Sequence, residues 1–194
     1  MNSEQQVPRI APLEPPYSPD VAAALAKWMP PGAAVEPLKL FRTLFQNREM
    51  FDRMRPLGAG ILGSHSSIDA RDREIVIDRV CARCGCEYEW GVHVVSFGQA
   101  VGLSQETLAA TVTKNPFDPT WSERESLLVQ MVDELHDTST VTDTLWNQLA
   151  ALWTPAQLIE LCIIVGWYHL ISFVTNAARV QSEEWAASFP QLAE

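Results

Sequence analysis

Thr154-Pro155-Ala156-Gln157 constrains this chain more than any other feature, because it fixes the start of a long apolar helix. Threonine is a good N-cap, and proline is tolerated in the first turn, where its missing N–H costs nothing. Glutamine at the third position can return a hydrogen bond to the cap. The run that follows, toward Val180, is predominantly apolar and must be covered by other elements. The rest of the sequence offers helices for that purpose. Ser122-Glu123-Arg124-Glu125 has the same capping form and opens a helix to His136, with Leu127, Leu128, Met131, Val132 and Leu135 as its buried face.

Weaker signals repeat the pattern. Asp20 to Trp28 reads as a short helix stopped by Pro30-Pro31, and Pro37 suits the first position of one carrying Leu38, Phe41, Leu44 and Phe45. Arg48 to Leu57 reads as a further helix, ended by a turn at Gly58-Ala59-Gly60. Asp69 caps a helix from Ala70 to about Cys84, Gly85 breaks it, and a second helix runs from about Cys86 to Val101 before Gly102. Ser104 and Thr142 start two more, through Ala110 and Leu152. No run of alternating residues demands a sheet, so the expected fold is all-α. The segments from Glu74 to Val101 and from Glu160 to Val180 echo each other in their Glu start and apolar periodicity, which admits a duplicated helical unit or a chance likeness. The organisation read from this pattern is a proline-rich arm with a short helix over 1–36, a helical domain over 37–180, and a C-terminal tail over 181–194.

Composition excludes several classes. A formal net charge of -10 argues against nucleic-acid binding, which leaves a basic stripe, and disfavours an anionic membrane surface. Met1 to Pro16 is polar and proline-rich, without the basic start and apolar core of a signal peptide. The longest apolar run, Leu158 to Val174, carries Glu160 and His169 and falls short of the roughly 20 residues of a membrane span. The expectation is a soluble, cytoplasmic protein whose partner is a small-molecule substrate, with no nucleic acid and no membrane.

Cys81, Cys84 and Cys86 cluster while Cys162 stands apart, a distribution unlike a secreted disulfide framework. Cys81, Cys84, Cys86 and His93 make an awkward zinc set, because structural sites more often separate two ligand pairs by a longer loop. No metal is therefore expected, and Cys81 and Cys162 read as small core residues. More informative is Cys86-Glu87-Tyr88-Glu89-Trp90-Gly91-Val92-His93. On a helix, Cys86, Glu89 and His93 share one face, with Cys86 at the N-terminus, where the dipole favours anions. Glu89 and His93 stand at i, i+4, a spacing that suits proton exchange in a pocket but also occurs on solvated faces. A reversal at Gly85 would bring Glu74 to the same pocket. Along one straight helix Glu74 and His93 would be about 28 Å apart, whereas a reversal allows one bridging water, roughly 5 Å between side-chain atoms. Among other histidines, His136 ends a helix where a cation complements the dipole, His65 sits in a loop before the Glu74 helix, and His169 lies in the apolar run.

Arg73-Glu74, Gly85-Cys86-Glu87-Tyr88-Glu89-Trp90, His93 and Gly102-Leu103-Ser104 together resemble the signature of the carboxymuconolactone decarboxylase family, which includes alkylhydroperoxidase D. Leu40-Phe41-Arg42-Thr43-Leu44 upstream, and Gly166-Trp167-Tyr168-His169 with Asn176 downstream, resemble its longer members. The resemblance implies an AhpD-like helical bundle and a homo-oligomer, whether dimer, trimer or hexamer. It also implies catalytic roles for Glu74, Cys86 and His93. In the peroxidase branch the position of Glu89 is a second, peroxide-attacking cysteine, and glutamate cannot replace that thiol. The decarboxylase branch resembles the chain in Glu89-Trp90-Gly91-Val92-His93. The expected activity is thus a lyase or decarboxylase acting on a carboxylated lactone or related ring-cleavage product, with His93 donating a proton, Glu89 assisting and Glu74 orienting His93 through a water. His65, Tyr88, Trp90 and His169 are the expected substrate contacts. No cofactor is needed for this chemistry, and no Gly-rich phosphate loop suggests one. Two other readings of the same residues are a peroxidase using Cys86 and a non-catalytic helical oligomerisation module.

Overall fold

The computed structural model describes residues 7–191 except 31 and 34, and among them every regular element is helical. The elements are α1 (Pro19–Ala26), α2 (Lys39–Leu44), α3 (Arg48–Leu62), α4 (Ala70–Arg83), α5 (Glu87–His93), a π-helical turn (Val94–Gly98), α6 (Gln105–Thr113), α7 (Glu123–Thr138), α8 (Asp143–Ala150) and α9 (Pro155–Ala178).

At the centre stands α4, buried without interruption from Asp72 to Cys81 and packed against α5, α6, α7 and α9. A helix buried all round must pair its polar side chains with neighbours. Arg79 forms a bidentate pair with Asp133 of α7 at 2.8 and 2.7 Å, and Arg124 of α7 returns a bond to Asp72 at 2.6 Å. Both reciprocal capping boxes form, at Ser122/Glu125 and Thr154/Gln157, and Asp69 accepts from the Arg71 N–H to start α4. With the length and mean hydropathy (1.8) of a membrane span, α9 nonetheless buries half of that window against the bundle. It is the core helix that the Thr154 cap announces.

Gly85 ends α4 at φ +60°. The Cys86 N–H reaches back to the Cys81 carbonyl at 2.8 Å, the long bond of a Schellman turn, and α5 returns along α4. Three expectations need correction. The expected turn at Gly58-Ala59-Gly60 is instead the continuation of α3 to Leu62. A Cβ on Gly58 would meet the Trp167 ring at 3.0 Å, so this glycine serves close packing rather than a turn. The helix expected to run on to Val101 changes at Val94 into a π turn, a wider form that often marks functional sites. Lastly, Pro155–Ala178 is one uninterrupted helix, so the echo with the α4–α5 segment does not extend to a hairpin.

The arm from residue 7 and the C-terminal segment to residue 191 are both packed. The arm is held by Arg42, which donates to the Leu13 carbonyl and Glu14 at 2.9 and 2.8 Å, and by an Arg9 N–H bond to the Ala178 carbonyl at 2.8 Å. The C-terminal segment lies along α5. Glu183 accepts from the Tyr88 hydroxyl (2.7 Å) and the Lys39 N–H (2.6 Å), and Glu87 accepts from the Phe189 N–H (2.7 Å). The approach at Gly91 is so close that a Cβ there would lie 2.0 Å from the Ala187 oxygen.

Candidate active site

The reversal at Gly85 brings Glu74 and His93 into direct contact, with His93 Nδ1 2.7 Å from Glu74 Oε2 and both groups buried. This is tighter than the expected water bridge, because the hairpin leaves no room between the two side chains for solvent. The other Glu74 oxygen accepts from Arg73 Nε at 3.3 Å. Two flanking cations hold this carboxyl group in one orientation.

On the far side of the imidazole, Nε2 lies 3.1 Å from the Tyr168 hydroxyl of α9 and 3.6 Å from Glu89 Oε1. Burial alone would lower the His93 pKa, but the charge and hydrogen bond of Glu74, reinforced by Glu89, outweigh it and raise it to about 10. His93 is therefore an imidazolium at neutral pH. Tyr168 is pushed well above the ordinary phenol range, chiefly by burial, and keeps its proton.

Glu89, His93 and Tyr168 form the polar floor of a cavity of about 620 Å³. Its walls include Trp28, Phe41, Phe97, Trp167 and Trp185, with Lys27 and Arg55 as cations. The arm thus supplies Trp28 and the C-terminal segment supplies Trp185. Ser96 and Phe97 come from the π turn directly after His93.

Cys86 is fully buried and does not line the cavity, and burial pushes its thiol pKa up to about 11. The helix N-terminus does not offset that effect, so the thiol stays protonated. The four expected substrate contacts, His65, Tyr88, Trp90 and His169, also lie away from the cavity lining. His65 is exposed on its loop. Tyr88 is spent on Glu183, and the Trp90 N–H donates to Thr111 at 2.9 Å. His169 faces another cluster, beside His136 and Cys84. His136 is not the dipole-complementing cation expected: burial, then Arg83 and His169, lower its pKa. Tyr168 is the functional group missed, since it stands 75 residues from His93 and its periodicity signals only burial.

The bundle has an all-helical AhpD-like fold, and the resemblance read from the sequence is borne out. Residues 48–123 match the Carboxymuconolactone decarboxylase family, and this matched segment holds Glu74, Cys86, Glu89 and His93. In fold, the chain is similar to an uncharacterized peroxidase-related protein from Silicibacter sp. TM1040, with TM-score 0.78 and 12% identity over 95% of this chain and 96% of that one. It is also similar to a protein of unknown function from Agrobacterium tumefaciens, provisionally assigned as the antioxidant defence protein AhpD. There the TM-score is 0.65 and the identity 18%, over 71% of this chain and 93% of that one. No curated protein matches the sequence.

Proposed function

We propose that this protein is a cofactor-independent lyase or decarboxylase acting on a small carboxylated ring compound, with His93 as the general acid. The observation that carries the reading is the His93–Glu74 pair opening, with Tyr168 and Glu89, onto an apolar cavity that excludes Cys86. The aromatic walls suit an unsaturated ring, and Lys27 and Arg55 suit its carboxylate. In decarboxylation, the carbon–carboxylate bond breaks, the carboxylate leaves as carbon dioxide, and the bond's electron pair moves onto a conjugated carbonyl as an enolate. Tyr168, held as a neutral O–H, donates a hydrogen bond to that developing charge. The imidazolium then transfers its Nε2 proton to carbon, while Glu74 keeps the ring in place through Nδ1. Glu89, within 3.6 Å of Nε2 and lining the cavity, is placed to return a proton from solvent.

Activity of the variants against carboxylated lactones and related ring-cleavage acids tests this. His93→Ala is expected to lower kcat/KM by about a hundredfold or more, with Cys86→Ser retaining most of it. Hydroperoxide reduction that Cys86→Ser abolishes would replace the lyase with a thiol peroxidase.

Self-association belongs to the same proposal. Ile159, Ile163, Gly166, Leu170 and Phe173 form an exposed stripe on α9 whose spacing alternates between four and three residues, the repeat of a helix that packs against its own copy. The stripe carries no charge, so no like charges oppose each other across it. Sedimentation is expected to give a multiple of 21.7 kDa, and Phe173→Glu to shift it toward the monomer.

A further inference from the structure

The side chains of Cys84, His136 and His169 meet at a place where three helices converge and where the proposed chemistry needs nothing. Cys84 caps the C-terminal end of α4, His136 lies in the last turn of α7, and His169 lies on α9. Nδ1 of His136 is 2.9 Å from Nε2 of His169, and the Cys84 sulfur is 4.0 Å from that same Nδ1. All three donor atoms lie within 4.8 Å of one another, and all three residues are half-buried. In a tetrahedral zinc site, bonds of about 2.0–2.3 Å set the donors roughly 3.3–3.8 Å apart. The observed separations bracket that range, so small rotations of the three side chains would complete it.

A second observation points the same way. Nδ1 of His169 lies 2.9 Å from the Val165 carbonyl, which can only accept, so this nitrogen carries the hydrogen. Nε2 is then the acceptor of the 2.9 Å bond from the His136 Nδ1–H, and its lone pair becomes free to ligate once His136 changes tautomer. A backbone carbonyl that fixes the tautomer of one ring nitrogen while the other faces a metal is the usual support of a ligating histidine. Cys84 is anchored as well, since Asn176 donates to its carbonyl at 2.9 Å.

We infer that Cys84, His136 and His169 form a site for a borderline-soft divalent ion, zinc above all, which pins the ends of α4 and α7 to α9. One thiolate and two imidazoles are the donor set that such an ion selects over magnesium or calcium. The fourth position is left for solvent. On binding, the Cys84 thiol loses its proton to solvent and the bond forms through the sulfur. The His136 proton moves from Nδ1 to Nε2, so that Nδ1 can ligate. The site shares no residue with the cavity lining. Tyr168 and His169 are neighbours on α9 but face the cavity and the cluster respectively.

The test is titration of the chelator-treated full chain with zinc chloride against a competing chromophoric chelator, followed by cobalt(II) substitution. One equivalent per chain is expected, with a thiolate-to-cobalt charge-transfer band and a higher Tm in the presence of zinc. Cys84→Ser and His169→Ala should each weaken binding by about tenfold to a hundredfold or more, and Cys84→Ser should abolish the band. Cys162→Ser, which alters a half-buried cysteine outside the cluster, should change neither. Substoichiometric uptake by the unsubstituted protein would overturn the site, whatever the variants do. So would full uptake that survives in a folded Cys84→Ser/His169→Ala double variant.

Discussion

His93 lies almost fully enclosed between two carboxyl groups and a phenol, whereas His136 and His169 stand half-buried with a carbonyl, a thiol and each other. His93 and His136 are shifted in opposite directions. Beside Glu74, His93 rises to about 10 despite its burial. In the second region, burial, Arg83 and His169 together lower His136. Burial disfavours the cation in both places, so the presence of a carboxylate partner decides the outcome. One region stores a proton, and in the other His136 stays neutral.

The largest expected effect comes from removing that partner. Glu74→Gln leaves His93 without its counter-charge in a closed site, and is expected to cost about 3–5 kcal/mol of folding stability by denaturant titration. It should also drop the His93 pKa toward its ordinary value, measurable by NMR of the imidazole. The sign of the pH dependence follows from the raised folded value. In the unsubstituted protein, the pair's contribution to stability is complete below about pH 6.5 and is lost as pH rises through about 10. Glu74→Gln should show a shallower alkaline decline. An unchanged pH profile would break the contrast between the two regions.

Asp78 sharpens it on a smaller scale. It lies one turn beyond Glu74 on α4, fully buried, and neither of its carboxyl oxygens has a partner among the described residues. Burial pushes its pKa well above the ordinary value, with His93 opposing and Glu74 adding to the shift. A raised acid contributes stability that is complete below its unfolded pKa and is lost as pH rises. Asp78→Val is therefore expected to stabilise the fold near neutral pH by about 1–3 kcal/mol, read as a higher Tm. A lower Tm would overturn this, showing that the carboxyl group contributes favourably where it is buried.

The two regions were also unequally legible from residues alone. Glu74, Glu89 and His93 fall on one short stretch, where the Asp69 cap, the Gly85 break and the i, i+4 pair are local signals. Cys86 belongs to the same stretch, but its phase on the helix could not reveal that the core would close over it. Cys84, His136 and His169 come from three helices, and no local spacing links them. Tyr168 was hidden for the same reason, inside a run where periodicity reports only burial. At Gly58-Ala59-Gly60 the local glycine signal pointed to a turn, and packing against Trp167 overrode it. The capped starts of α4, α7 and α9 were readable because a cap is a contact between near neighbours.

The seat of the C-terminal segment on α5 couples that segment to the cavity. Ala187 touches Gly91, and Glu183 and Glu87 tie the segment to the same helix that carries Glu89 and His93, while Trp185 reaches over to wall the cavity. Docking of this segment and occupancy of the cavity are therefore two equilibria that share contacts. Whatever fills the cavity against Trp185 must hold the segment down by the same free energy with which the segment, once down, tightens the ligand. A protease able to cut within 183–189 acts on the undocked fraction, so its rate becomes a gauge of how full the cavity is.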